Sequence, residues 1–548
     1  MATSILSIGQ TALAAAQVGI STTGHNIANA ATPGYNRQIV IQGAAKPQSF
    51  GVGFLGQGAE VTSIKRVYNE YLVGQERAAQ STKSGLDSYY AQIKQIDNML
   101  ADSAAGLSPA IQDFFSGIQE MASNPGSIPA RQAALSTAES LASRFQSLSG
   151  RLNEMDQGVN SQITSSVNTI NAYAEQIATL NDTIGRMQRG TGQPANDLLD
   201  QRDQLILDLN KEINATVVKQ DNGDYNVFIG NGQPLVVGAK TSRLATMASP
   251  SDPQKIEVAY VTNSGPVIVS ASSLVGGKLG GVMAFRSQTL EPAQASLDSL
   301  ATGLAASFNA QHQLGQDIDG NLGGNFFSAT GASDFSVAIT DPRSIAAAAP
   351  IRTAVGNANT GTGSITAGSV NASLPLDINL QQPVTIRFTS ATTFDVVGTG
   401  TGNPTGLTYT PGSTITYNGW SMAVSGAPAT GDEFTVGPNT GGVGDNRNAL
   451  LLGGLQTSNS MNGGTTTYQG AYSQIVSQIG NKTRELEVTS SAAGRMLTET
   501  TVSIQNESGV NLDEEAANLL RYQQAYQAAG KVMQIASEMF DMLISLGR

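Results

Sequence analysis

Cysteine is absent from the 548 residues. Disulfides, thiolate catalysis and cysteine-ligated metal are therefore excluded. Histidine occurs only at His25 and His312, which leaves little for zinc chemistry or a histidine-based triad. Charged residues make up 13% of the chain, about half of the roughly 25% usual in globular domains. The 30 Lys and Arg against 42 Asp and Glu give a net charge of −12, the wrong sign for a nucleic-acid binder. Aromatic residues are 5%. No segment reads as the roughly 20 consecutive apolar residues of a membrane helix. Residues 1–36 contain no Lys, Arg, Asp or Glu, so the positive first region of a cleaved signal peptide is missing as well. These absences imply a cytosolic chain, or one that leaves the cell by a route that reads no ordinary signal.

What is present is a hydrophobic content of 40% and 60 glycines, sufficient for a real core. The length suits three or four domains of about 150 residues each. The two ends read as helices. Leu6, Leu13, Ile20 and Ile27 recur every seven residues, with Gly9 and Ala16 on the same face, a seam of coiled-coil type with small residues that permit close approach. Thr32-Pro33-Gly34 stops this helix. A stripe from Met155 to Met187 keeps helical spacing for about nine turns. Short β-rich runs separated by turns begin near Ala215, and helix returns at about 279–313. Residues 335–445 alternate Thr, Gly, Val and Ile and suit a small sandwich or barrel. At the far end Asn511 is an N-cap with Asp513, Glu514 and Glu515 in the first turn. Leu519, Tyr522, Tyr526, Ala529, Met533, Ala536, Phe540 and Leu543 then follow a three-four repeat. A helix from Asn511 to Gly547 would be about 55 Å long at 1.5 Å per residue, too long to bury in a compact domain. Its seam needs another long helix, and the N-terminal seam is the evident candidate. Two such seams with domains hung between them favour packing between molecules.

Chemistry is sparse. Gly51-Val52-Gly53-Phe54-Leu55-Gly56 fits a dinucleotide fingerprint in letters only, because a strand pattern follows where a helix should start. Asp317, Asp319 and Asn321 resemble the start of a calcium loop, but Leu322 and Ser328 stand at its Gly and Glu positions, so they read as turn chemistry. Asp197, Asp200, Asp203 and Asp208 beside Arg202 read as a solvated, salt-bridged helix face. His25 reads as a polar contact at a helix end. Trp420, the single tryptophan, reads as a hydrophobic anchor of the β-rich region rather than a sugar platform. Nothing assembles a nucleophile, a base and an orienting group. No catalytic, cofactor or metal residue is expected, and the chain reads as a structural protein rather than an enzyme.

Ser21 to Arg37, S-T-T-G-H-N-I-A-N-A-A-T-P-G-Y-N-R, resembles the N-terminal signature of bacterial flagellar axial proteins. The carriers are Asn26, Ile27, Ala28, Asn29, Thr32, Pro33, Gly34, Tyr35 and Arg37. The run from Ser508, with Gly509, Val510, Asn511, Glu514 and Glu515, resembles their C-terminal signature. Asn196-Asp-Leu-Leu-Asp-Gln-Arg-Asp-Gln-Leu and Asn309-Ala-Gln-His-Gln-Leu-Gly-Gln-Asp-Ile-Asp-Gly-Asn are similar to internal motifs of the hook-associated proteins, at the junction of hook and filament. Hook, distal-rod and flagellin proteins are the alternatives within the class, and an adhesin using 335–445 is the alternative outside it.

The resemblance implies export through the flagellar type III apparatus and residence in the flagellum. It implies a ring of about eleven copies between hook and filament. Hook protein and a second junction protein would be neighbours, and an export chaperone would bind near the C-terminus. No nucleic acid, membrane or cofactor is implied. The expected fold is multidomain α plus β: long terminal helices pairing as a coiled coil, an elongated helical bundle and inserted β-rich domains. The expected divisions are 1–60 with 505–548 as the inner tube; 61–214 with 279–334 and 446–504 as the bundle; 215–278 as a small β-rich domain; and 335–445 as an outer one. The twelve repeat positions of the two end helices are the expected assembly seam.

Overall fold

The structure is a computed structural model that describes residues 2–50, 53–102, 106–371, 374–400 and 402–546. Ten α-helices are described. They are α1 (Ala2–Asn29), α2 (Glu70–Leu100), α3 (Leu107–Ser123), α4 (Ile128–Thr191), α5 (Asn196–Glu212), α6 (Gly277–Phe285), α7 (Glu291–His312), α8 (Arg447–Gly454), α9 (Tyr468–Ser508) and α10 (Leu512–Leu546). Four early strands matter below: β1 (Gln38–Ala44), β2 (Gln48–Phe50), β3 (Gly53–Leu55) and β4 (Ala59–Arg66). The chain forms two compact units rather than the four domains anticipated: 1–93, 156–287 and 483–548 in the first, 94–155 and 288–482 in the second. Three of the four boundaries fall inside the long helices α2, α4 and α9, and the fourth falls in the short helical stretch Arg286–Leu290, where no loop composition marks them.

In the first unit α1 packs along α10. The buried face of α1 takes in Gly9 and Ala16 of the predicted seam but not its seven-residue row of leucine and isoleucine. It is Gly9, Ala15, Ala16, Gly19, Thr22, Thr23 and Asn26, while Leu6 and Ile27 stay exposed. Small residues win because they let the backbone come close enough for large partners to fill the groove. A Cβ at Gly19 would stand 2.4 Å from Cδ1 of Tyr522, and one at Gly9 2.9 Å from the Met533 sulfur. Residues 5–29 are long and apolar enough to cross a membrane by length and composition, which corrects the sequence reading. Ile, Leu, Val and Ala supply that hydropathy, and part of it is turned toward α10.

The strands between Ala215 and Ile268 form a four-stranded and a three-stranded antiparallel sheet. They belong to the first unit and not to a separate domain. Asn181 of α4 donates to the carbonyls of Tyr225 and Gly238 at 2.9 and 2.8 Å. Asn171 exchanges two hydrogen bonds with the Leu244 backbone. The side chains of a helix thus satisfy strand groups that would otherwise be unpaired.

The second unit is built on rings. Phe114, Phe308, Phe326 and Phe327 meet at centroid distances of 4.7 to 6.1 Å. Phe335 lies against Phe145 and Phe327, and Ile345 to Ala349 are buried. The β-rich insertion is therefore shorter than 335–445. Its strands run from Ile351 to Pro438, and what flanks them is core of the helical part. Two sheets, of five and four strands, face one hydrophobic cluster. Val384, Ile386 and Phe388 of one alternate inward, as do Trp420, Met422 and Val424 of the other. Trp420 is fully buried, so it cannot serve as a sugar platform. Deleting 351–438 with a short bridge is expected to leave the far-ultraviolet signal and thermal transition of the helical part intact. Deleting 335–445 is expected to abolish that transition, because Phe335 and the 345–349 run go with it.

His312 is fully buried at the C-terminal end of α7. Its Nδ1–H donates to the Gly324 carbonyl at 2.8 Å and its Nε2 accepts from the Ala346 N–H at 2.8 Å. A proton on Nε2 would face another donor, so only the neutral ring fits. Burial pushes its pKa down to about 4 from 6.5. Below pH 6.5 the unfolded chain binds a proton that the folded chain refuses, so stability falls as pH drops from 6.5 toward 4. The loss amounts to about 3 kcal/mol over that window. Denaturant midpoints followed by Trp420 fluorescence should fall over that range, and in His312→Gln this pH dependence should shrink.

Candidate assembly site at the chain ends

The two end signatures meet in the first unit, and Asn26 is where they are tied. Its side-chain oxygen accepts from the Gln38 N–H at 3.0 Å and the Tyr35 hydroxyl at 2.7 Å. Its amide donates to the Gln38 carbonyl at 2.9 Å and to Glu515 at 3.1 Å. The last bond spans 489 residues of sequence. Asn26 and Glu515 are both almost wholly buried. Only an amide, which is donor and acceptor at once, can hold a turn, a strand start and a carboxylate together.

Around this tie the other signature residues take separate tasks. Gly34 has φ of +74°, a left-handed conformation that favours glycine. Arg37 donates to Glu514 at 2.6 Å, and its N–H to the Ser508 carbonyl at 2.8 Å. Asn511 accepts from the Asp513 N–H at 2.9 Å, capping α10. Thr32 donates to Asn29, and Asn29 to the His25 carbonyl. A Cβ at Gly509 would meet the Gln505 carbonyl at 2.3 Å. Ile27, Ala28, Thr32 and Pro33 stay exposed and Val510 partly so.

The acidic face of α5 is not solvated. Asp200 and Asp203 are buried. Asp200 accepts from the N–H and amide of Asn36 at 3.0 and 2.7 Å. Arg66, at the end of β4, stands 2.7 Å from both carboxylates, and Arg77 of α2 donates to Asp203 at 2.7 Å. Burial pushes the Asp200 carboxyl above its ordinary range, while the Asn36 and Arg66 hydrogen bonds pull it back. Burial, then the nearby Asp197 and Asp200, push the Tyr35 phenol up. Arg202 is also buried, with its guanidinium 3.5 Å from the Tyr225 ring centroid. Sequence reasoning missed this network. The available signal was three aspartates at three-residue spacing in a chain poor in charge. Asp197 is the solvated member, and His25 meets it at 3.2 Å.

The predicted seam divides. On α10, Ala529 and Ala536 are buried, Leu519, Tyr522 and Met533 partly so, and Tyr526 and Phe540 are exposed. On α1, Leu13 and Ile20 are partly buried and Leu6 and Ile27 exposed. The Leu543 side chain lies outside the described residues. A second row on α10, Val532, Ile535, Met539 and Met542, is exposed at three-four spacing and was not read from the sequence. Asp317 accepts from the Asp319 and Asn321 N–H groups at 2.8 and 2.9 Å, a turn. The 51–56 glycine run is part of the β2–β3 hairpin, with residues 51 and 52 outside the described set. Among the described residues no group of three His, Asp or Glu could hold a metal.

The chain thus ties its two ends together and leaves an apolar row of α10 exposed. Comparison places it among flagellar proteins: residues 93–327 match the family described as flagellar hook-associated protein FlgK helical domain. Residues 504–546 match the family described as flagellar basal body rod FlgEFG protein C-terminal. Flagellar hook-associated protein 1 of Escherichia coli (strain K12) is 35% identical, over 99% of this chain and all of that one. The protein of the same name from Bacillus subtilis (strain 168) is 23% identical over 98% of this chain and 97% of its own. The structure of the flagellar hook junction protein FlgK from Burkholderia pseudomallei covers 79% of this chain and 99% of that one, with 31% identity and a TM-score of 0.72. The chain belongs to the flagellar hook-associated protein 1 family.

Proposed function

We propose that this chain is a structural subunit of the bacterial flagellum. It forms the junction ring between hook and filament and is exported by the flagellar type III apparatus. The observation that carries this reading is the Asn26–Glu515 tie. It makes one building block from the two ends, and the apolar rows of that block point outward. Side chains such as Phe540 and Ile535 are about half exposed, at 47% and 49%, and burying each against a neighbour is worth roughly 1–2 kcal/mol. A ring of about eleven copies repeats that gain at every contact. Hook protein, a second junction protein and an export chaperone at the C-terminal helix are the proposed partners. The network of the site is structural: its ionisable side chains hold one another and leave no free acid–base pair.

The test is at the seam. Phe540→Asp places a carboxylate where an apolar contact is needed. Because Phe540 is exposed in the single chain, thermal unfolding of the purified protein should be unchanged. Cells carrying the variant as their sole copy should keep hooks, lose filaments and release flagellin into the medium. Gln527→Asp, off the seam and exposed, should swim nearly as wild type. Normal swimming with Phe540→Asp would remove this seam from the junction.

A further inference from the structure

The first unit carries an aromatic knob and a cavity that cannot serve each other within one chain. The knob is Phe54, on β3 of the β2–β3 hairpin, 78% exposed, with Leu55 exposed beside it. The cavity, of about 890 Å³, opens beside the Thr32-Pro33-Gly34-Tyr35 turn, and Leu180 of α4 and Leu205 of α5 supply apolar wall. The hairpin is rooted at the start of α1: Ser7 donates to Gln57, and Gly58 abuts Ile8 and Thr11. The cavity lies at the other end of α1, at His25 and Asn29. At 1.5 Å per residue these levels are roughly 25 Å apart. Phe54 is four residues from Gly58, so it reaches at most about 14 Å. It cannot fill the cavity of its own chain.

Charge gives the same pairing. Lys46 is the only charged residue between Arg37 and Glu60. It is exposed and has no ion-pair partner among the described residues. The cavity carries Glu175 and Asp197. Both have existing contacts, with Arg243 and His25, yet keep about half of their side-chain surface in solvent, 51% and 56%. A knob and a hole at different levels of α1 make a head-to-tail contact, which closes into a ring or runs on as a helix according to the rotation it imposes.

We propose that the β2–β3 hairpin of one copy seats Phe54 in the cavity beside the Thr32–Tyr35 turn of the next copy, with Lys46 against Glu175 and Asp197. This rests on the junction-ring reading, and it names the contact that sets the stagger between neighbours, roughly 25 Å along α1.

The chain has no cysteine of its own, so introduced pairs report directly. Phe54→Cys with Gln176→Cys, and Lys46→Cys with Glu175→Cys, are each placed on one chain as the sole copy in cells. Flagella are isolated, oxidised with copper-phenanthroline and run on non-reducing gels beside the four single-cysteine chains. A ladder of dimers and higher multiples from either pair, absent from every single variant, is the expected result. Only monomer from both pairs, in flagella that contain the protein, overturns the contact and leaves the junction reading intact. Absence of even the single-cysteine chains from isolated flagella would instead overturn the junction reading, and the proposed contact with it.

Discussion

Asp203→Ala is expected to cost the first unit about 3–5 kcal/mol, the usual penalty for removing one partner of a buried ion pair. Its carboxylate lies 2.7 Å from both Arg66 and Arg77, and all three side chains are at least about nine-tenths buried, with exposures of 9%, 9% and 11%. Without it Arg66 keeps only the buried carboxylate of Asp200, and Arg77 loses the carboxylate it is paired with. Arg66 also positions Asp200, which holds Asn36 of the N-terminal signature, so the damage passes to the tie between the chain ends. Hydrogen exchange should show loss of protection in peptides from 30–40 and 500–515. Trp420 lies in the second unit, so its fluorescence should report an unchanged transition there. Asp197→Ala is the control. That side chain is 56% exposed, and its loss should cost under about 1 kcal/mol, as for exposed pairs generally. Equal effects of the two substitutions would show that burial of the network is not what makes it matter.

Gly19→Leu is expected to separate the terminal helices. Even a Cβ at this position would lie 2.4 to 2.6 Å from three atoms of the Tyr522 ring. The ring is rigid, so the helices or the rotamer must move, at a cost of about 1–3 kcal/mol for overpacking and more for the rest of the leucine side chain. Peptides 5–29 and 512–542 should lose exchange protection together. The motility defect should be as severe as that of Phe540→Asp, though for a different reason: here the subunit itself comes apart. Gly9→Ala is the mild counterpart, because the nearest atoms it meets belong to the thioether of Met533, a flexible side chain. Gly24→Ala meets nothing within 4 Å and should stabilise α1 by about 0.5–1 kcal/mol through helix propensity. The order Gly19, Gly9, Gly24 is the result to check. Similar losses at all three would mean that glycine serves α1 by flexibility rather than by close approach.

The site was legible where its signals are local. Thr32-Pro33-Gly34 ends a helix whatever surrounds it, because proline and a left-handed glycine cannot continue one. Asn511 caps α10 by bonding within three residues. The strand alternation at Val384–Phe388 and Trp420–Val424 needs only one wet and one dry face. The face on which α1 packs was legible only in part: Gly9 and Ala16 were read into its seam and are buried, while the leucines and isoleucines of that seam are not. The seven-residue row of leucine and isoleucine is the stronger hydrophobic pattern, yet the glycines and alanines beside it are what α10 covers. That choice depends on Tyr522 and Met533, whose bulk fits a groove and would collide with a ridge.

The sequence by itself determined that both ends are long helices with apolar rows and that β-rich segments are inserted between them. Each of these follows from composition and short-range spacing. Tertiary structure alone decided which rows are consumed within the chain and which stay open. It also decided that Asp200 and Asp203 are buried rather than solvated, and that Asn26 holds Glu515. Those outcomes depend on groups brought together from distant parts of the chain, and no periodicity records which charge will find which partner once the backbone has closed.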